Sequence, residues 1–382
     1  MPVPCPLGGQ EHGAKTLHQR EFRNVKTTLV LSTALAGMAF AATAQEVNVV
    51  SWGGAYEVSQ VEAYNKPFTA ATGIKANMIA ADDPATPLKA QVEANNITGD
   101  VFDLAMADAI RLCDEGALME FDPADLPAGA DGTPAAEDFV DGSLGDCAVG
   151  NIVWGTVIGY DKTKFEAEAP TTVADFFDTE KFPGKRGLPK SPKRTLYLAL
   201  IADGVAADDI YDTLATPEGV DRAFAKLDTI KNDVIWWEAG AQPMQLLADG
   251  EVVMTTVYNG RIFDAMVGEG KPFDVIWDGQ YLEINAFVVP KDAPNPEAAV
   301  EYVKFATGTQ PLADQAKYIA YGPARQSSAP LVGMYQDGTT EMAPHMPTEP
   351  EHLTTAVVDD PEFWADHDAE LSERFNSWLA GS

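Results

Sequence analysis

Apolar and polar positions change period several times along this chain, and the changes mark its elements. Residues 47–52 are mostly apolar, end at Gly53-Gly54 and predict a buried first strand. Apolar positions then recur at helical spacing over 56–72, with Gly73 placed to cap the helix. Residues 74–79 predict a second strand, 85–95 a second helix and 102–106 a third strand. This β-α-β-α-β order predicts a parallel sheet with helices on both faces.

The alternation resumes after a long β-rich run over 151–160. Strands are expected near 186–189, 234–237, 252–258 and 273–277, with helical stretches between them. A further strand over 283–289 precedes Pro290 and a helix over 296–306. Residues 122–138, rich in Pro, Ala, Gly and Asp, predict a surface loop, and the chain turns helical again near Pro361. Two α/β units joined by long β segments predict an α/β fold with two lobes, a hinge and an interlobe cleft. The expected lobes are 45–155 with 284–330, and 156–283 with 331–382. Ligands in open α/β sheets sit beyond the carboxyl ends of strands. That rule marks Trp52 to Tyr56, Asp108, Tyr258 to Arg261, and Tyr281 to Glu283 as candidate walls.

The first 44 residues read differently. A short apolar run over 29–42 follows Lys26 and ends in Ala42-Thr43-Ala44. A basic start, an apolar centre and small residues at the cleavage point predict a secretory signal, too short to span a bilayer. Residues 1–24 carry Cys5, His12 and His18 without periodicity, so translation is expected to start at Val25. Cleavage near Ala44 would leave a periplasmic protein. The formal net charge is −32, which excludes partners needing basic patches, nucleic acid and anionic membranes among them. Cys113 and Cys147 remain beyond the signal. An even count in an exported chain favours a disulfide worth roughly 3–4 kcal/mol, with two free thiols as the alternative.

Several landmarks, in order, resemble the spermidine/putrescine-binding branch of the ABC-transporter solute-binding proteins. They include Ser51-Trp52, Phe68-Thr69-Ala70-Ala71-Thr72-Gly73, Val153-Trp154-Gly155-Thr156, Leu247-Ala248-Asp249-Gly250, Tyr258-Asn259-Gly260 and the Tyr-Gly-Pro beginning at Tyr321. The resemblance implies aromatic rings sandwiching an alkyl amine and carboxylates pairing with its ammonium ends. Tyr258-Asn259-Gly260 replaces that family's Trp-Asn-Gly, and Tyr281-Leu282-Glu283 replaces its Trp-x-Asp. Glu283 is therefore the candidate ammonium partner. Trp52-Gly53-Gly54-Ala55-Tyr56 lacks the acid of the family's Trp-x-Glu-Tyr. Where the family places two acids for the distal amine, this chain has Lys190-Ser191-Pro192-Lys193-Arg194. One acid end and one arginine end suit a zwitterionic ω-amino acid such as γ-aminobutyrate, with Arg194 or Arg261 on its carboxylate. Of Trp236 and Trp237, which alternate on a strand, Trp237 is the cleft candidate.

Other chemistries find less support. Tyr318 and Tyr321 raise a ferric-ion receptor as an alternative, but no neighbouring tyrosine pair, carboxylate and histidine accompany them. An exported enzyme on a bilobal α/β scaffold is the other alternative; no nucleophile elbow, H-E-x-x-H, phosphate loop or dinucleotide fingerprint occurs, which leaves it carboxylate-only chemistry. The three histidines beyond the signal all lie past residue 340. The expectation is a monomeric receptor without catalytic activity, metal or cofactor, handing a small amine or zwitterion to an inner-membrane ABC permease.

Overall fold

A computed structural model describes residues 45–381 except residue 166, so the expected signal over 1–44 lies outside the described residues. β1 (Glu46–Trp52) leads through Gly54, at φ 75°, into a helical stretch. Ala55–Gln60 continues through a π turn, Val61–Asn65, into Lys66–Thr72, and Gly73 closes it in the left-handed conformation. β2 (Lys75–Ala81) and β3 (Val101–Ala105) flank β1 in parallel.

Beyond β4 (Leu144–Gly145) and the long β5 (Ala148–Asp161) come β6 (Arg186–Pro189), β7 (Val234–Trp237) and β8 (Met254–Tyr258). β9 (Phe273–Val288), β10 (Gly322–Pro323) and β11 (Val357–Val358) complete the sheet. Its order is β2-β1-β3-β9-β5-β8-β6-β7. The parallel groups β2-β1-β3 and β8-β6-β7 behave as the sequence predicts. Between them, β9 and β5 are antiparallel to each other and to β3 and β8. These crossing strands serve both halves, so the sheet is mixed rather than parallel.

The separate strands expected at 273–277 and 283–289 are one. Asp278-Gly279-Gln280 breaks the apolar pattern like a turn, but here it forms a bulge in β9, with Gly279 at φ 62°. Tertiary bonds hold that bulge. Asp278 Oδ2 accepts from the Val173 amide (2.8 Å), and Gln280 Nε2 donates to the Pro347 and His352 carbonyls (both 2.8 Å).

Two cores lie on either side of the crossing strands. Val47, Tyr64, Phe68, Phe287 and Tyr302 fill one; Phe176, Leu188, Leu198 and Phe224 fill the other. The helix Pro361–Ala380 adds Trp364, Leu371 and Phe375 to the second core. Full burial of each large apolar side chain stabilises by about 1.5–3 kcal/mol. Cys113 and Cys147 form a disulfide, with Cα atoms 5.7 Å apart.

Candidate functional site

The strand ends and the crossing strands bring together three connected groups: a buried acid, a set of rings and a charge cluster. Asp103, near the end of β3, is fully buried. A buried carboxylate is tolerated when its lone pairs are satisfied. Its Oδ2 accepts from Tyr56 Oη (2.6 Å), Gln60 Nε2 (2.5 Å) and Asn151 Nδ2 (2.8 Å). Its Oδ1 accepts from Asn285 Nδ2 (2.7 Å). Burial raises the Asp103 pKa, and these donors only partly oppose it. Asn285 Oδ1 accepts from Trp154 Nε1 (2.8 Å), so β3 fixes the plane of a ring on β5 through one amide.

The rings meet edge to face. Trp154 and Tyr258 have centroids 5.0 Å apart at 81°, and Tyr258 meets Trp237 at 6.2 Å. Tyr56 and Tyr321 lie 5.6 Å apart, and Trp52 packs beside them. Two glycines make room. A Cβ at Gly240 would come within 2.5 Å of the Tyr258 ring, and one at Gly260 within 2.6 Å of Tyr321. The indole N–H groups of Trp52 and Trp237 are buried and have no partner among the described residues. Asn259 Oδ1 accepts from the Gly155 amide (3.0 Å) while its Nδ2 donates to the Ala320 carbonyl, tying the end of β8 to the crossing strand.

The charges are paired in an unexpected way. Arg194 Nε and Nη2 donate to Glu283 Oε2 and Oε1 at 2.9 and 2.8 Å. The guanidinium also stands 5.5 Å from the Trp154 ring centre and 5.7 Å from that of Tyr258. Lys193 Nζ is 3.6 Å from Glu283 Oε1 and donates to Asp359 Oδ2 at 2.8 Å. Asp359 also accepts from Tyr281 Oη (2.5 Å), and its own amide donates to the Leu282 carbonyl beside β11 (2.8 Å). Burial would raise the Glu283 pKa, but Arg194 and Lys193 together hold it below the ordinary range.

A cavity of about 540 Å³ reaches the ring group at Tyr56 and Tyr321. Gly54, Tyr56 and Tyr321 line it from the β1 side, and Ala241, Met244 and Arg261 from the β7–β8 side. Arg261 is exposed, lies 5.7 Å from the Tyr258 ring centre and makes no hydrogen bond or ion pair among the described residues. Asp249, Asp264 and Glu269 also line the cavity.

Of the expected site residues, Tyr56 and Arg261 line this cavity, Trp52, Trp237 and Tyr258 belong to the rings, and Arg194 and Glu283 form the charge cluster. Glu283 and Arg194, expected at opposite ends of a ligand, are instead bonded to each other. Two further residues stand apart. Asp108 is half-buried on the helix Met106–Asp114 and pairs with Arg111 at 2.8 Å. β3 already ends at Ala105, so Asp108 sits in the first turn of the helix rather than at the strand's end. Tyr281 is fully buried; its ring packs 4.7 Å from Tyr197, and its hydroxyl accepts from Trp364 Nε1 (3.0 Å). Trp236 packs against Phe375 and Trp378, away from Tyr258. Tyr318 packs on the first core while Tyr321 joins the rings, so the two do not converge. Sequence reasoning left out Asp103, Asn285, Trp154 and Lys193 as site residues. The Val153-Trp154-Gly155 landmark and the Lys190-Ser191-Pro192-Lys193-Arg194 segment already held Trp154 and Lys193.

Comparison with known proteins gives a consistent picture. Residues 63–348 match the model of the bacterial extracellular solute-binding proteins. A gamma-aminobutyric acid-binding protein of Pseudomonas aeruginosa is 41% identical over 370 residues, 96% of this chain and 99% of that one. The solved structure of the Atu4243 GABA receptor superimposes with a TM-score of 0.73 at 34% identity, covering 88% of this chain and 98% of that one. The Agrobacterium tumefaciens binding protein MotA in complex with glucopine gives 0.75 at 30% identity, covering 88% and 100%.

Proposed function

Since this chain belongs to the bacterial extracellular solute-binding protein family, and is a receptor rather than an enzyme, we propose that it serves an ABC importer as the periplasmic receptor for a zwitterionic ω-amino acid. γ-Aminobutyrate is the type ligand, in keeping with the relative at 41% identity. One observation carries this reading. Glu283 is already neutralised by Arg194 and Lys193, so the charge cluster offers a ligand guanidinium donors rather than a free acid. Polyamine receptors need acids at both ends of the site.

In this reading the ligand's carboxylate docks on the free edge of Arg194 or on Arg261, where a guanidinium can bind it bidentately. Its methylenes and ammonium lie against Trp52, Trp154, Tyr258 and Tyr321. Glu283 orients Arg194 instead of holding the amine. Closure of the lobes, bounded as 45–155 with 284–330 and 156–283 with 331–382, excludes water and strengthens both ionic contacts. The closed form then docks on a membrane permease. A diamine such as putrescine is the second reading, favoured by the acids Asp249, Asp264 and Glu269 in the cavity wall.

Isothermal titration of the chain from residue 45 onward against γ-aminobutyrate, putrescine and spermidine decides between them. The expected result is binding of γ-aminobutyrate with the amines at least about 1.4 kcal/mol, or tenfold, weaker. Tight spermidine binding would overturn the zwitterion reading.

A further inference from the structure

We propose that Lys193 determines ligand specificity: as second counter-ion of Glu283, it leaves Arg194 with charge and donors for a ligand's carboxylate. The inference rests on the ω-amino acid reading and deepens it. Arg194 touches Glu283 through Nε and Nη2, and among the described residues its Nη1 makes no hydrogen bond. Were Arg194 the sole counter-ion, an arriving carboxylate would place two acids on one guanidinium in a nearly dry site. Like charges at that separation and dielectric repel strongly. Lys193 removes the conflict, because its ammonium already stands 3.6 Å from Glu283 Oε1.

Lys193 cannot drift away. Asp359 holds it at 2.8 Å, and Asp359 is fixed in turn by Tyr281 and by the Leu282 carbonyl. Only 19% of the Lys193 side chain and 11% of that of Asp359 are exposed, so water screens the cluster poorly. Glu283, Asp359, Lys193 and Arg194 sum to zero charge. A zwitterion keeps that sum, a diamine would leave the site doubly positive, and a simple acid would leave it negative. Removing Lys193 alone tips the cluster to a net negative charge, which favours a monocation and disfavours any carboxylate.

The signature of this role is a proton. Without Lys193, Glu283 or the ligand must take up a proton when a carboxylate reaches Arg194, so binding weakens as pH rises. The groups that face Glu283 and Arg194 are Lys193, Tyr197, Tyr211, Tyr258, Tyr281 and Asp359. Burial raises the pKa of Tyr197, Tyr211 and Tyr281, so those phenols stay neutral near neutral pH. Asp359 is raised too, by burial first and then by Glu283.

The test is titration calorimetry of wild type, Lys193→Met and Lys193→Arg with γ-aminobutyrate, butylamine and putrescine, from about pH 6 to 8 in two buffers of different ionisation enthalpy. Lys193→Met is expected to lose about tenfold or more in γ-aminobutyrate affinity, to gain relative preference for butylamine and to take up a proton on binding. Lys193→Arg should restore affinity and abolish the uptake. If Lys193→Met fails to fold, Lys193→Gln, which keeps a donor for Asp359, replaces it with the same expected outcomes. Wild-type affinity without proton uptake in the variant overturns the role of Lys193 and leaves the ligand reading intact. Wild-type preference for putrescine over γ-aminobutyrate overturns both.

Discussion

Arg325 and Arg194 each meet a carboxylate at 2.8 Å, yet the two regions use those guanidiniums differently. Arg325 is fully buried and bonded on every side: Nη1 to Asp138, Nε to the Thr307 carbonyl (2.6 Å) and Nη2 to the Pro127 carbonyl (2.9 Å). Asp138 is satisfied as well, by the Ser327 amide and hydroxyl, both at 2.8 Å. Arg194 remains 22% exposed, lies against two rings and, among the described residues, leaves Nη1 without a hydrogen bond. Its carboxylate has a second cation in reserve. A saturated pair fixes a loop. An unsaturated pair still has donors to offer.

Arg325→Met should break the first region most severely. It strands Asp138 as a buried, unpaired charge and should cost about 3–5 kcal/mol in denaturant unfolding. Ligand affinity of the protein that remains folded should change little; a large affinity loss at unchanged stability would erase the contrast.

Arg194→Met should behave in reverse. Lys193 stays near Glu283, so the stability loss should be smaller, roughly 1–3 kcal/mol. γ-Aminobutyrate affinity should fall about 30-fold or more by calorimetry. Wild-type affinity in this variant would remove Arg194 from the site.

The smallest effect concerns acid stability. The lowered Glu283 pKa means its charge stabilises the fold fully above the ordinary value of 4.5, and this contribution is lost as pH falls through the lowered native value. Asp103, raised above its ordinary 3.8, slopes the other way: stability falls as pH rises from there to its native value. In Glu283→Gln the loss on acidification should be shallower than in wild type, measured as Tm against pH. Parallel curves would show that Glu283 does not titrate with unfolding.

Much of the frame was readable without coordinates. Arg186–Pro189, Val234–Trp237 and the helix Pro296–Ala306 stand where their patterns predict, because their periods follow directly from which faces are buried. The alternation at Trp236 and Trp237 correctly sends their rings to different neighbours. The cysteine count anticipated the Cys113–Cys147 bond. Local pattern misled at Asp278-Gly279-Gln280, whose turn chemistry is overridden by bonds to Val173, Pro347 and His352. Composition likewise marked 122–138 as surface, although Asp138 within it is buried on Arg325.

At the site, the residue types came from the sequence and their partnerships did not. The order of motifs supplied Trp52, Tyr56, Arg194, Tyr258, Arg261 and Glu283, along with the loss of acids that polyamine chemistry would need. Only the fold decided that Glu283 meets Arg194 and Lys193, residues about ninety positions away, rather than a ligand's amine. Only the fold buried Tyr281 under Trp364 and Asp359. Periodicity reports which face a side chain takes. What waits on that face depends on strands paired across the whole chain, and that is where a charge finds its counter-ion.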